Sequence, residues 1–187
     1  DHWALNEINP DVIAVCEEPL KIQLPPTKKH PDKGYVIDLW LRYSDGLEEY
    51  VEVKPENRLT EDSQGHLAPA NWEAVEQWMA KHKRRCRFIT DTDIYANTVH
   101  VQNARRITCL AAQAYELRGA RGLSGKIMDA VTRQPHVNVS QVEFDLADED
   151  PSQVRAMIGL LIVMGRLSSP LTTKVFDRES TLELCDE

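Results

Sequence analysis

A chain of 187 residues is long enough for one large domain or two small ones and too short for an extended repeat array. Its 42% hydrophobic and 28% charged residues exclude collagen-like, mucin-like and largely disordered chains. With 22 Lys and Arg against 30 Asp and Glu the net charge is -8, the wrong sign for holding nucleic acid by bulk electrostatics, so any DNA contact must be local or assisted. The longest nearly apolar run, Met157 to Met164, is 8 residues, against ~20 for a membrane span; the chain reads as soluble. Cys16, Cys86, Cys109 and Cys185 form no C-x-x-C pair, which leaves reduced thiols as the expectation and gives no zinc site. No secretory signal opens the chain, and Asp1 reads as an interior cut.

Val12 to Val15 and Leu20 to Leu24 are expected to be two short strands parted by Glu17-Glu18-Pro19 and stopped by Pro25-Pro26. Thr27 to Lys33 reads as a solvated loop. Tyr35 to Tyr43 is rich in β-branched, aromatic and leucine residues; Ser44-Asp45-Gly46 turns the chain, and Tyr50 to Lys54 returns as the second strand of a hairpin ended by Pro55. A polar loop from Glu56 to Pro69 leads to Trp72, Val75, Trp78 and Met79, whose spacing is that of an amphipathic helix packed on the sheet. Cys86 to Thr90 is a further strand, and Asp91-Thr92-Asp93 is turn or capping chemistry.

From Ala104 the texture is helical. Ile107, Leu110, Ala111, Ala114 and Leu117 recur at helical spacing before Gly119. Further helices are expected over Ser124 to Gln134, Val139 to Leu146, and from Asp150-Pro151-Ser152 to Met164. Stretches at 165–171, 174–176 and 180–184 suggest a terminal β-hairpin, and helices followed by a hairpin suggest a winged helix. A boundary near Tyr95 to Asn103 gives domains 1–96 and 97–187. The first carries 12 basic and 18 acidic residues and the second 10 and 12, so neither half is a basic DNA-binding domain by charge.

The hairpin carries the chemistry. Residues two apart in a strand share a face, so Glu52 and Lys54 project together, with Asp38 on the matching side of the preceding strand. By the same parity Ile37, Leu39 and Leu41 face the other way. Two carboxylates on adjacent strands suit Mg²⁺, which takes oxygen ligands and keeps waters, and a lysine beside them can orient an attacking water. On its own, a D...ExK pattern on a hairpin is more often a solvated face with an ion pair.

The flanks add to that pattern. Glu7-Ile8-Asn9-Pro10-Asp11-Val12, Glu17-Glu18-Pro19-Leu20, Asp38 to Asp45-Gly46, Tyr50 to Pro55 and Phe88-Ile89-Thr90-Asp91 stand in the order of segments written "LE-dP-V", "eQP", "DF-v---dG", "v-EvKP" and "F-viTe". The chain thereby resembles the TnsA family of transposon endonucleases over essentially its whole length. The resemblance implies an α/β fold: a restriction-endonuclease-like mixed sheet with flanking helices, of the PD-(D/E)xK kind, followed by a mainly helical, winged-helix-like domain. It implies Asp38, Glu52 and Lys54 as catalytic residues. Asp38, Glu52 and the Val53 carbonyl would hold Mg²⁺, with Mn²⁺ as substitute. The expected substrate is transposon-end DNA, cut at the 5' ends alongside a TnsB-like transposase and a TnsC-like AAA+ ATPase in the bacterial cytoplasm. A stand-alone restriction or repair nuclease and a non-catalytic docking module are the alternatives.

Asp32 mimics the letters "PD" but falls in the loop. The resemblance places the family's first catalytic Glu on an opening helix that aligns before Asp1; Glu7 is the nearest acid in the chain, and Glu17 and Glu18 read as strand-flanking. Lys81, Lys83, Arg84 and Arg85 belong to a basic run that serves equally as a solvated helix end or as a phosphate contact. The six histidines form no metal-binding pattern.

Overall fold

The computed structural model describes residues 1–24, 34–61, 65–117 and 120–185. The loop expected over Thr27 to Lys33, with Asp32, and the helix stop at Gly119 lie outside the described residues. Two compact units emerge, Asp11–Ala96 and a second built from Asp1–Pro10 with Asn97–Glu187.

The short helix α1 (His2–Glu7) belongs to the second unit, although the sequence groups residues 1–10 with the first domain. The reason is burial: Ala4 and Ile8 enter the apolar cluster of the later helices. The sheet unit begins with β1 (Val12–Gln23), β2 (Gly34–Tyr43) and β3 (Glu48–Lys54). Then come a two-residue ladder of β4 (Thr60–Glu61) with β5 (Leu67–Ala68), helix α2 (Trp72–Lys81), β6 (Arg85–Thr90) and the single turn α3 (Asp91–Ile94). The main sheet runs β1-β2-β3-β6, antiparallel except for the parallel β3–β6 pair. A parallel pair requires a crossover, and α2 supplies it.

Where two strands are expected over 12–24, a single long one forms. Glu17-Glu18-Pro19 does not turn the chain; it makes a bulge, with Glu17 opposite Leu39, Leu20 opposite Ile37 and Glu18 at φ 47°. Pro19 is tolerated because β1 is an edge strand and needs no outward ladder bond. This bulge lies across from Asp38, and the apolar faces divide there. Tyr35 and Ile37 join the cluster of Trp72, Val75 and Met79 on α2, whereas Leu39 and Leu41 pack with Val51 and Ile89. The uniform apolar face that parity assigns to Ile37, Leu39 and Leu41 is therefore split in two.

In the helical unit, α4 (Thr98–Tyr115) starts six residues before Ala104 because the Asn97 side chain accepts a bond from the His100 N–H at 3.0 Å and caps it. Helices α5 (Ala120–Arg133), α6 (Val139–Asp145) and α7 (Pro151–Val163) follow, the last with Asp150 as cap and Pro151 in its first turn. Val154 and every residue from Ala156 to Ile162 are buried, so α7 is the central core helix. A Cβ at Gly159 would fall 2.5 Å from the Leu110 Cβ; only glycine lets α4 and α7 approach this closely. The expected terminal hairpin is reduced to a two-residue ladder of β7 (Leu167–Ser168) with β8 (Glu183–Leu184), and 174–176 forms no strand.

Candidate active site

β2 and β3 pair as far as Leu39↔Val51, where the pairing ends: β2 continues with β1 alone and β3 with β6 alone. The fork opens a gap in the ladder, and Asp38 fills it. Its Oδ2 accepts the Val53 N–H at 2.7 Å, a charge-assisted bond in place of a backbone carbonyl. In a regular strand a residue's N–H and C=O point to the same side, so the Val53 carbonyl is directed into the fork and away from β6.

Glu52 and Lys54 emerge on the facing strand. The Lys54 ammonium ion-pairs with Glu52 Oε1. Glu52 is only 1% exposed, against 35% for the Lys54 side chain, so the polar face expected here is in fact sunk below the surface at its acid. Burial raises the Glu52 pKa above the ordinary carboxylate value, the Lys54 contact opposes the rise, and the nearby Asp38 charge adds to it. The second oxygen, Oε2, is buried without a hydrogen-bond partner. Tyr35 borders the same carboxylate: burial first, and then the Glu52 charge, push the phenol well above its usual range.

These groups fit a hard divalent cation. The Asp38 and Glu52 carboxylates lie close enough to repel one another, and Glu52 Oε2 is buried without a hydrogen bond. Among the described residues no group of three His, Cys, Asp or Glu side chains suited to a metal occurs, so any ion here rests on two acids, a carbonyl and water.

The basic candidates lie elsewhere. Arg85 pairs with Glu49 at the start of β3, five residues along the parallel ladder from Lys54↔Thr90, or roughly 17 Å at strand rise. Arg85 reaches Glu49 at 3.9 Å and Arg87 reaches it at 2.9 Å, so part of this charge neutralises a buried acid. Arg84 lies 5.1 Å over the Tyr50 ring and 5.9 Å from that of Trp78. Lys81 and Lys83 are exposed at the end of α2 and in the turn after it. Among the other acids, Glu7 is in the helical unit, while Glu17 and Glu18 are exposed at the β1 bulge.

Sequence reading missed two features. Tyr35 is odd-numbered where Asp38 is even, so strand parity sends it to the opposite face, yet it borders Glu52 and packs in a different cluster from Leu39 and Leu41. The second is a brace after Lys54. Asp91 accepts the Glu56 N–H at 2.8 Å, and the Thr92 hydroxyl donates to Glu56 at 2.5 Å. The Thr90–Asp93 capping box fixes the partner segment. The capping letters of Asp91-Thr92-Asp93 were legible, but their engagement of Glu56 was not.

No helix among the described residues is long and apolar enough to cross a membrane. A comparison with curated proteins gives no match. A family model described as TnsA-like endonuclease N terminal matches residues 9–91, a span that contains the whole four-stranded sheet together with Asp38, Glu52 and Lys54. The segment that builds this site is similar to the TnsA-like endonuclease N-terminal family.

Proposed function

We propose that the chain is a Mg²⁺-dependent DNA endonuclease of a Tn7-type transposition machinery, cutting the 5' strands at the transposon ends. The observation that carries the reading is the fork itself: Asp38 and a buried, half-partnered Glu52 beside Lys54, within a segment of TnsA-like endonuclease sequence. Asp38, Glu52 and the Val53 carbonyl hold the ion, for which Mn²⁺ substitutes. A bound divalent ion supplies charge neutralisation at the scissile phosphate and a lower pKa for water.

The chain's own groups do the rest. Lys54, partly exposed and tethered to Glu52, places a cation at the rim, where it orients the attacking water and stabilises charge on the phosphate. Asp38, fixed by the Val53 amide, keeps one oxygen engaged and presents the other. The Glu56–Asp91–Thr92 brace holds the chain just beyond Lys54 against the start of α3.

With a net charge of -8, the chain gains most of its DNA affinity from partners, a TnsB-like transposase that processes the 3' ends and a TnsC-like AAA+ ATPase, in the bacterial cytoplasm. The helical unit serves as the docking module in this account and is of winged-helix type. Its α7 is buried at Val154 and from Ala156 to Ile162, so this helix presents no face for reading bases in a groove. The test is strand-specific cleavage of transposon-end DNA in Mg²⁺ with both partners present. Cutting at the 5' ends that Lys54→Ala removes is expected; cutting by the chain alone at unrelated sequences would favour a stand-alone nuclease.

A further inference from the structure

We propose that the Tyr35 hydroxyl is a positioning residue for this centre, the outer donor that sets the Glu52 carboxylate for the metal; the inference rests on the metal-site reading above. Tyr35 is 9% exposed, and its ring packs in the cluster of Ile22, Ile37, Trp72, Val75 and Met79. The hydroxyl at its tip is buried and forms no hydrogen bond of regular geometry, yet it lies close enough to the Glu52 carboxylate for each to shift the other's ionisation. Glu52 Oε2 is likewise buried and without a partner, and the two residues border one another.

A donor and an acceptor, each costly to bury alone, thus stand side by side in the dry interior of the sheet. A phenylalanine would fill the same apolar space with no such cost, so packing does not account for the oxygen. The other carboxylate oxygen, Oε1, is already held by Lys54. A carboxylate tethered on one oxygen alone can swing about that tether, and a second donor removes this freedom. Ligating carboxylates are commonly fixed by such outer partners, whose loss weakens metal binding by about 10–100-fold. A hydroxyl suits the place because it donates when the acid is ionised and rotates freely to follow it.

The test is direct Mn²⁺ binding by the full chain, read from the signal of free Mn²⁺, for the wild type, Tyr35→Phe and Glu52→Gln, together with thermal melting in chelator. Tyr35→Phe is expected to weaken Mn²⁺ about 10–100-fold while melting within a few degrees of wild type in chelator. Affinity within twofold of wild type would overturn the role of Tyr35 and leave the metal reading standing. A large drop in melting temperature of the metal-stripped variant would also overturn it, by making the hydroxyl structural. If the wild type binds no Mn²⁺, or Glu52→Gln binds as well as wild type, the metal reading itself fails and Tyr35 with it.

Discussion

Asp38 has two separable duties, and the choice of substitution exposes them. Its sequence position on a polar strand face suggests that alanine would spare the fold, but the structure disagrees. Asp38 Oδ2 is the acceptor for the Val53 N–H, at 2.7 Å, where the ladder between β2 and β3 stops. Alanine removes a charged acceptor and leaves that half-buried donor to whatever water can reach it, a loss of about 1.5–3 kcal/mol. For a unit of this size each kcal/mol moves the melting temperature by about 4–8 °C, so a loss near 2 kcal/mol lowers it by roughly 8–16 °C. Asparagine keeps an acceptor oxygen and relieves the repulsion between Asp38 and Glu52, so its loss is expected to stay below about 1 kcal/mol. Both variants should lose 5'-end cleavage, because neither supplies a second anionic oxygen. Thermal unfolding and amide exchange at Val53 measure the structural part. An alanine variant that melts with wild type, or an asparagine variant as unstable as alanine, would refute the capping role.

Lys54→Ala is expected to lower single-turnover cleavage by several orders of magnitude and, by removing the partner of a buried acid, to raise the Glu52 pKa further, which carboxyl NMR titration measures. The pH dependence has a definite sign: Glu52 is raised in the fold, so its contribution to stability is fully present below about 4.5 and is lost as pH rises through the folded value. The stability of wild type relative to Glu52→Gln should therefore fall with rising pH over that window, while Mn²⁺ affinity rises; a parallel course of the two curves would contradict the assignment. Excess chelator should abolish cleavage and Mg²⁺ or Mn²⁺ restore it, with Ca²⁺ binding but restoring it poorly. Truncation should be clean only at the unit boundaries: a chain of Asp11 to Ala96 spares the sheet unit, whereas one that keeps residues 1–10 or runs on to Asn103 carries a piece of the helical unit without its core, and limited proteolysis distinguishes them.

The hairpin and its acids were legible because they depend on local signals: the alternation over 35–43, the Asp45-Gly46 turn, and Pro55 as a stop. The α2 stripe was legible for the same reason, since three of its apolar positions, Trp72, Val75 and Met79, are buried on the sheet. Long-range features were not legible. Pro19 reads as a strand break unless the strand is known to be an edge, and the division of the β2 apolar residues between two clusters, with Tyr35 and Ile37 in one and Leu39 and Leu41 in the other, has no signal in the alternation. Glu52 is buried and borders Tyr35, neither of which is encoded in the ExK spacing. In the helical half, period-3.6 patterns located the helices, but the close contact of α4 with α7 at Gly159 makes α7 a core element, a fact of packing that its sequence alone does not carry.

In the proposed function Asp38, Glu52 and Lys54 form one metal-dependent cutting centre for the 5' strands. Its most direct test is strand-resolved cleavage of transposon-end DNA in Mg²⁺, with the transposase and ATPase present, comparing wild type with Asp38→Asn confirmed as folded by melting. The wild type is expected to cut the 5' strands and Asp38→Asn to leave them intact, with 3'-strand processing unchanged. Near-normal 5'-strand cutting by the folded Asp38→Asn chain would contradict it.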